Sequence, residues 1–412
     1  MATMIISERD RPDRQTRTEA PPPRAKTARL GWVDAIRAFL AILVVVHHAG
    51  QPYGGDGVWP VQEDARSDVL GVFFPVNAAF FMGLFFLLAA SFIPASFDRK
   101  GTGAFLRDRV TRLGIPLLIV GLGVFGLIAY LDYRGAGGTV PLWSFYVRDY
   151  IGGPQVDLGH LWFVAHLLVY TCAYALWRRI SGQRSPVAGR ADRLPGHRAI
   201  LTYALALAAV TYVVRLWYPI DRWERVLGII PAEVAHVPQY LSLFIIGLVA
   251  AHHDWLRRLP AATGMTWLGI GLGAAALRYA YSLWPTERLP RIIAQGGSDW
   301  RSLAWSTWEA FICVGLCVGL LVLARERFAQ PGRVVRMLGE SSFAIYIVHV
   351  FVLVAVQMPL VDVAIPPLAK FAIVSIAGVP LSVAVATVPR WSGVLRRTRS
   401  RHGTAAHAPA TT

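Results

Sequence analysis

Four ionisable side chains lie within the first long apolar segment of the chain, residues 31–50 (GWVDAIRAFLAILVVVHHAG). At about 1.5 Å and 100° per residue, a helix would place Arg37 and His48 roughly 16 Å apart along its axis and about 20° apart around it. Asp34 would fall about 40° from His48 on the same face, and His47 about 80° from Arg37. An imidazole can accept a proton near neutral pH, and a guanidinium can bind an anion. Because ionisable groups are costly at bilayer depth, this face predicts a functional site.

A structural role is the alternative for these residues. Asp34 and Arg37 could be a helix-start carboxylate and its partner near the membrane surface, and the two histidines could mark the other, interfacial end of the helix. Which role applies depends on the elements that surround the segment.

The composition is that of a polytopic membrane protein. The 412 residues are 55% hydrophobic and only 16% charged, with a mean hydropathy of +0.45. Ten apolar segments approach the roughly 20 residues that a bilayer requires. They fall at about residues 31–50, 70–94, 113–133, 160–178, 199–217, 231–252, 264–284, 303–324, 339–357 and 366–389. The predicted fold is therefore all-α, a bundle of about ten transmembrane helices.

The basic residues predict the orientation of this bundle. A net charge of +16 would suggest nucleic acid in a soluble protein, but here most Lys and Arg residues collect in alternate loops. The positive-inside rule then places both termini in the cytoplasm, and no nucleic-acid partner is expected. We expect a disordered tail over residues 1–30, a membrane domain over 31–390 and a basic, low-complexity tail over 391–412. Four basic residues fall inside or at the edge of the spans: Arg37, Arg215, Arg278 and Lys370.

Two predicted external loops, residues 51–69 and 134–159, are rich in Gly, Pro and aromatic residues. They are too long for tight turns. They could cover a binding site, or they could lie at the membrane interface as part of an aromatic belt.

The spacing of Arg37 and His48 resembles the first-helix signature of the membrane acyltransferase-3 family. Its members transfer acyl groups from acyl-coenzyme A to hydroxyls of sugars, glycans or antibiotics. Five further segments resemble the family in the same order: FMGLFFLLAASF (81–92), FLRDRVTRLGIP (105–116), GHLWFVAHLLVY (159–170), VPQYLSLFIIGLVA (237–250) and GESSFAIYIVHVFVL (339–353). The chain departs from the family at residues 90–92, where members often have Ser-Gly-Phe and this sequence has Ala-Ser-Phe.

Acyl transfer to an alcohol needs a base for the hydroxyl proton and donors for the developing oxyanion. The resemblance implies that His48 is the base, with His47 as its neighbouring alternative. It also implies that Arg37 either holds part of the acyl donor or orders the site through Asp34. Those two roles for Arg37 stay open at this stage.

The anionic donor needs a binding site of its own. Coenzyme A carries a diphosphate and a 3′-phosphate, and guanidinium groups bind phosphate through paired donors. The resemblance therefore implies that Arg107, Arg109 and Arg112 bind acyl-CoA. The alternative is that these arginines only enforce the topology of the chain.

Further polar residues of the spans are expected to line the acceptor or acyl pocket. Ser342, Tyr346 and His349 recur at i, i+4 and i+7 and form one polar stripe, although such a histidine is usually satisfied by a neighbouring hydroxyl. Glu233, His236 and Glu309 could also face this cavity, or could pair with Arg215 or Arg278. The whole predicted pocket set is His47, Asn77, His160, Trp162, Glu309, Ser342, Tyr346 and His349.

The expected function is thus that of a multi-pass O-acyltransferase of the plasma or inner membrane, in contact with membrane lipid. Acyl-CoA, with acetyl-CoA as the default, is the expected donor substrate. The expected acceptor is a carbohydrate, a glycolipid or a secondary metabolite. No metal and no permanently bound cofactor are expected. The rival is an exporter of a lipid-linked or small amphipathic solute, whose path the same buried charges would line. A non-catalytic membrane scaffold is a third possibility.

Overall fold

The computed structural model describes residues 30–391, apart from 55–58, 154–157, 183–193, 227, 229 and 284–295. Most of the two predicted tails lies outside the described residues. The described chain forms α1 (Gly31–Gly54), α2 (Asp68–Ala78), α3 (Phe81–Ala90), α4 (Ile93–Arg109), α5 (Phe125–Gly135), α6 (Leu142–Ser144), α7 (Trp162–Ile180), α8 (His197–Arg215), α9 (Val237–His252), α10 (Trp255–Arg258), α11 (Ala261–Leu283), α12 (Trp300–Arg327), α13 (Arg333–Gln357) and α14 (Pro367–Trp391). The prediction of an all-α fold is confirmed.

Nine helical segments of the described chain are long and apolar enough to cross a membrane. They are Gly31–Gly54, Asp68–Ala90, Ile93–Gly135, Gly159–Ile180, His197–Arg215, Val234–His252, Trp300–Arg327, Arg333–Leu360 and Pro367–Val388. The remaining predicted span, 264–284, corresponds to α11, which has sufficient length at 23 residues but is less apolar. Its sequence is rich in glycine and alanine and contains Arg278. A polytopic membrane bundle is therefore confirmed.

Two of the predicted spans are less regular than their hydropathy indicated. The span at 70–94 is interrupted between α2 and α3, because Pro75 lacks an N–H for the helix ladder and Phe80 leaves helical geometry at φ −137°, ψ −36°. The span at 113–133 continues from α4 through π-helical turns at Val110–Gly114 and Leu117–Val124. Within α4 the chain kinks at Gly101, whose φ of 71° only glycine adopts without strain.

A short antiparallel hairpin, which the sequence did not predict, precedes α9. Strand β1 (Trp223–Val226) pairs with β2 (Ile230–Glu233), and Trp223 lies opposite Glu233. A 3₁₀ turn, Val234–His236, then leads into α9. The hairpin therefore places Glu233 immediately before a membrane helix.

The packing around α1 determines where the functional residues meet. Helix α1 lies along α13 and α14, and their buried residues form a common core with Trp59 and Val61. Gly339 of α13 lies so close to α1 that an added Cβ would be 2.3 Å from the carbonyl oxygen of Asp34. Small residues permit such close helix approach. The glycine of the 339–353 segment thus brings α13 against the first helix.

Candidate active site

Three histidines from different parts of the chain meet beside the C-terminal half of α1. His48 comes from α1, His349 from α13 and His160 from the 3₁₀ turn (Gly159–Leu161) that precedes α7. The ring centroids of His48 and His349 are 4.9 Å apart, and those of His349 and His160 are 5.0 Å apart. His160 and His349 are buried, whereas His48 is half-buried. We call these three residues the imidazole cluster.

Hydrogen bonds fix which nitrogens of the cluster carry protons. His349 Nδ1 lies 2.6 Å from the carbonyl oxygen of Tyr346, and His48 Nδ1 lies 2.9 Å from that of Val44. Because a carbonyl only accepts, both Nδ1 atoms must donate. His349 Nε2, 3.2 Å from His48 Nδ1, is then an acceptor for the same His48 proton. His48 Nε2 has no hydrogen-bond partner among the described residues. Since the proton is on Nδ1, Nε2 carries a lone pair that can accept a proton.

The third imidazole is held by α13. His160 Nε2 donates to the carbonyl oxygen of Ile347 at 3.2 Å, and the Tyr346 hydroxyl donates to the carbonyl oxygen of His160. His160 Nδ1 is buried and has no hydrogen-bond partner in the part of the chain that the structure describes. The cluster therefore combines one ring nitrogen, His48 Nε2, that has no hydrogen-bond partner among the described residues with two rings that are oriented by backbone carbonyls.

A segment of the first predicted external loop covers the cluster. We call residues 59–67 the strap. The Trp59 ring stacks on His48 at a centroid distance of 5.2 Å, and its Nε1 donates to Gln357 Oε1 at 2.7 Å. The Gln357 amide in turn donates to the carbonyl oxygens of His48 and Ala49, each at 3.3 Å. In the described part of loop 51–69, Trp59 lies against His48 of the candidate site.

An ion pair anchors the other part of the strap. Lys370 of α14 lies 2.7 Å from a carboxylate oxygen of Glu63, and both side chains are largely buried. Lys370 also donates to the carbonyl oxygen of Val361 at 3.3 Å. Trp59, Glu63 and Gln357 were not identified from the sequence. Gln357 continues the helical spacing of the stripe at Tyr346 and His349, so a longer analysis of that stripe would have identified it.

His47 occupies a different environment from His48, although it precedes it directly. Its ring is buried among Phe73, Phe74 and Phe81, with centroid distances of 6.2, 5.0 and 5.0 Å. The Gln51 amide nitrogen lies 3.3 Å from its Nε2. His47 thus packs in an aromatic box beside the imidazole cluster, with its ring centroid 5.2 Å from that of His48.

Arg37 connects two of the family-like segments. Its guanidinium lies over the Phe92 ring, with 5.1 Å between Cζ and the ring centroid. Phe92 is the last residue of the Ala-Ser-Phe sequence that departs from the family pattern. Asp34 is buried where Gly339 packs against α1. The polar face of α1 therefore contacts both α13 and the start of α4.

The three candidate donor-binding arginines differ in exposure and in their closest contacts, although Arg109 and Arg112 both lie near Asp108. Arg112 pairs with Asp108 at 3.0 Å, whereas the Arg109 guanidinium lies over the Phe105 ring at 5.1 Å. Arg107 and Arg112 are exposed, and Arg109 is half-buried. The π-helical turn that begins at Val110 changes the spacing of the side chains that follow it.

Glu309 belongs to a second buried polar network. Its two carboxylate oxygens lie 2.6 Å from Arg215 Nη2 and 2.6 Å from His236 Nε2. His236 Nδ1 lies 2.8 Å from Glu233. His236 Nε2 donates to Glu309, and its Nδ1 lies within ion-pair distance of Glu233 without a hydrogen bond. Two carboxylates this close favour the imidazolium form. Glu309 was expected either to face the cavity or to pair with Arg215 or Arg278, and the structure shows the pair with Arg215. We call Arg215, Glu233, His236 and Glu309 the charged tetrad.

The carboxyl of Glu233 lies at the end of β2, outside the membrane spans. Burial raises its pKa, but the adjacent His236 and the backbone N–H of Asp221 outweigh this, so that the pKa lies below its ordinary value. The Asp221 N–H donates to Glu233 Oε1 at 2.9 Å. Glu233 is therefore ionised at neutral pH, and the tetrad contains two cations and two anions.

The other predicted pocket residues lie around these two groups. Trp162 contacts Tyr240 and Trp223, with ring centroids 5.2 and 5.9 Å apart. Ser342 donates to the carbonyl oxygen of Gly339 at 3.0 Å. Asn77 is buried, and its amide nitrogen has no hydrogen-bond partner among the described residues.

Comparison with known proteins identifies the family. The acyltransferase-domain model of the acyltransferase-3 family matches residues 30–387, which include the imidazole cluster, the strap and the charged tetrad. The chain belongs to the acyltransferase-3 family. Membership supports an acyltransferase activity in a multi-pass membrane protein.

Individual relatives are more distant. The chain is similar to the glucans biosynthesis protein C of Salmonella schwarzengrund (strain CVM19633) and to that of Salmonella agona (strain SL483). Each is 26% identical over 262 residues, which cover 61% of this chain and 65% of the relative. The match thus spans less than two thirds of these relatives. No solved structure matches the chain.

Within the region that matches the family, residues 30–387, the imidazole cluster is the arrangement best suited to proton transfer. The described residues contain no group of three His, Cys, Asp or Glu side chains arranged to hold a metal ion. The ring nitrogens of the cluster are instead directed to backbone carbonyls and to one another. This arrangement fits acid–base chemistry at His48 Nε2.

Proposed function

We propose that the chain is an integral-membrane O-acyltransferase of the cell membrane. It moves an acyl group, with acetyl as the expected one, from acyl-CoA to a hydroxyl of a carbohydrate or related acceptor. The observation that carries this proposal is the tautomer of His48, whose Nδ1 donates to the Val44 carbonyl while Nε2 keeps its lone pair. The positive-inside rule places the loop with Arg107, Arg109 and Arg112 in the cytoplasm, and we propose that acyl-CoA approaches from that side.

His48 acts as the general base in this proposal. As the acceptor oxygen forms a bond to the thioester carbonyl carbon, His48 Nε2 takes the hydroxyl proton. The carbon–sulfur bond then breaks, and the imidazolium returns the proton to the sulfur of the leaving coenzyme A. The step needs no covalent acyl-enzyme, because the base and the acceptor act directly on the thioester.

His349 and Val44 support the charge that forms on His48. The protonated ring donates from Nδ1 to the Val44 carbonyl oxygen at 2.9 Å and faces the lone pair of His349 Nε2 at 3.2 Å. Both acceptors favour the imidazolium over the neutral ring. His349 is thus a positioning residue that also stabilises the intermediate charge.

The donor end of the site is assigned to basic residues nearer the cytoplasm. Arg37 lies eleven residues before His48, which is about 16 Å along a helix axis. A guanidinium at that depth supports binding of the anionic part of acyl-CoA. We assign phosphate contacts at the entrance to Arg107, Arg109 and Arg112, of which Arg109 and Arg112 both lie near Asp108.

The experiment is acyl transfer by the purified full-length protein, with labelled acetyl-CoA as donor. Because the relatives are named for glucans biosynthesis, a glucan is the first acceptor to test. His48→Ala should lower the transfer rate by about 10²–10⁴-fold, the usual contribution of a general base. His47→Phe is the matched control, since the phenyl ring suits the aromatic box and leaves His48 in place.

Retained transfer in folded His48→Ala would contradict the role of His48. Transfer that is lost in folded His47→Phe but kept in His48→Ala would reassign the base to the neighbouring residue. Export of an amphipathic solute into vesicles, without any acyl transfer, would favour the transporter. A labelled acyl-enzyme trapped from donor alone would contradict direct transfer.

A further inference from the structure

Gln357, the last residue of α13, is a buried amide whose two polar atoms both have partners. The residue is 0% exposed. Its Oε1 accepts from the Trp59 indole at 2.7 Å, and its Nε2 donates to the carbonyl oxygens of His48 and Ala49, each at 3.3 Å. Because an indole N–H only donates and a carbonyl only accepts, these partners fix the orientation of the amide. One side chain therefore joins the strap to α1.

The carbonyl of His48 needs a donor from outside its own helix. Pro52 lies within α1, four residues after His48. In a regular helix the N–H of residue 52 would donate to the carbonyl of residue 48, and proline has no N–H. The Gln357 amide supplies the missing donor. The sequence of α1 thus gives Gln357 a fixed place beside His48.

The Trp59 ring depends on the other end of this amide. Trp59 is only 8% exposed, and its ring lies over the His48 imidazole with 28° between the two planes. A buried indole N–H usually has a hydrogen-bond partner, and here that partner is Gln357 Oε1. Without this acceptor the N–H would be buried and unsatisfied, which favours rotation of the ring toward water.

The strap has further anchors that do not involve this amide. Lys370 lies 2.7 Å from a carboxylate oxygen of Glu63, and the backbone N–H of Ser67 donates to the carbonyl oxygen of Tyr53 at 2.8 Å. These contacts remain when the amide is removed. Its loss should therefore release the Trp59 ring without freeing the whole strap.

We propose that Gln357 is a positioning residue of the acyl-transfer site. Its amide holds the Trp59 ring over His48 and so determines how acyl-CoA divides between transfer and hydrolysis. This inference rests on the proposed function, in which His48 is the general base. In the hydrolysis, a water oxygen bonds to the thioester carbon, His48 takes a proton from that water, and the carbon–sulfur bond breaks. The proton passes to the sulfur, and the products are the free acid and coenzyme A. A ring over the base disfavours this reaction because it excludes water.

The first measurement is the reactivity of His48 in the purified full-length protein, with no acyl donor present. Diethyl pyrocarbonate adds an ethoxycarbonyl group to a neutral imidazole, and mass spectrometry of the peptides gives the rate at each histidine. His197, which is exposed, is the internal reference. Gln357→Met keeps the length of the side chain but lacks the amide, so the rate at His48 relative to His197 should rise about tenfold. Adding Trp59→Phe to Gln357→Met should reverse most of this rise, because the phenyl ring has no N–H that needs an acceptor.

Gln239→Met in α9 is the matched control. Gln239 is also a buried amide, at 4% exposure, and its Nε2 has no hydrogen-bond partner in the part of the chain that the structure describes. This variant should leave the rate at His48 unchanged. An unchanged rate in folded Gln357→Met, or a further rise in the double variant, would show that the amide only stabilises the end of α1 and would overturn the proposal.

The second measurement is the division of labelled acetyl-CoA between transfer and hydrolysis. Gln357→Met should raise the ratio of hydrolysis to transfer, and the double variant should lower it again. An equal loss of both reactions, with the ratio unchanged, would overturn the proposal. Wild-type protein that catalyses neither reaction would contradict the proposed function instead, and the reactivity of His48 would still report whether Gln357 holds the Trp59 ring.

Discussion

Replacing Glu309 with glutamine tests the charged tetrad most directly. The substitution keeps the shape of the side chain but removes the negative charge between Arg215 and His236, each 2.6 Å away. Arg215 is only 1% exposed, so it cannot recover hydration. Breaking a buried ion pair by removing one partner costs about 3–5 kcal/mol, because the other charge stays buried and uncompensated.

This cost should appear as a lower unfolding temperature of the purified protein in detergent. With an unfolding entropy of about 2.1 cal/mol/K per residue and roughly 330 described residues, 3–5 kcal/mol corresponds to a fall of about 4–7 °C. The control is Glu224→Gln in the hairpin. Glu224 pairs with Arg222 at 2.7 Å, but the two side chains are 38% and 56% exposed. Exposed pairs contribute about 0–1 kcal/mol, so this control should hardly change the unfolding temperature.

A double-mutant cycle completes the test. The combined Arg215→Gln and Glu309→Gln variant should be less destabilised than the sum of the two single variants, because each single change leaves a buried charge that the other would remove. Additive effects, or equal shifts in Glu309→Gln and Glu224→Gln, would refute a tight coupling of the tetrad.

Two further predictions concern helix packing and pH. Gly339→Val should lower the folded yield and the transfer activity together, since its Cβ would lie 2.3 Å from the Asp34 carbonyl oxygen. Gly332→Ala is the control and should behave as wild type, because the space around Gly332 is open. Normal yield of Gly339→Val would contradict the close contact. Glu233→Gln should be less stable than wild type at neutral pH, because the pKa of Glu233 is lower in the folded state than in the unfolded state. This difference in stability should shrink as the pH falls below about 4.5, because Glu233 then becomes protonated in the wild type as well. A constant difference in unfolding temperature across that range would contradict an ionised Glu233.

The sequence predicted the elements of the fold better than their irregularities. Apolar segments of about 20 residues are a strong signal, because a bilayer requires every backbone group to be paired within the helix. The break between α2 and α3 depends on Pro75 and on the conformation of Phe80, which hydropathy averages over. The short hairpin at Trp223–Glu233 had no comparable signal, since its strands have four residues each.

Helical spacing also anticipated part of the imidazole cluster. His47 and His48 lie about 100° apart around α1, and their rings have largely different neighbours. The stripe of α13 placed Tyr346 and His349 on one face, and the structure brings that face to His48 and His160. The roles of these residues in catalysis stay predictions.

The contacts of the strap were beyond the sequence because they join distant positions. Trp59 and Gln357 are 298 residues apart, and Glu63 and Lys370 are 307 apart. No local periodicity connects such pairs. In the sequence each residue has an ordinary local explanation, as an interfacial aromatic ring, a loop carboxylate or a helix-end amide.

The strap gives the proposed chemistry a physical reason for its position inside the membrane domain. A thioester next to an activated base is open to hydrolysis if water reaches the same base. Trp59 covers one face of the His48 ring, and Gln357 ties it to the end of α1. Since Nδ1 is committed to Val44 and His349, the remaining approach to the base leads to Nε2. Removing the Trp59 ring, as in Trp59→Ala, would therefore open the base to water, so transfer to the acceptor should fall while hydrolysis of acyl-CoA without acceptor should rise.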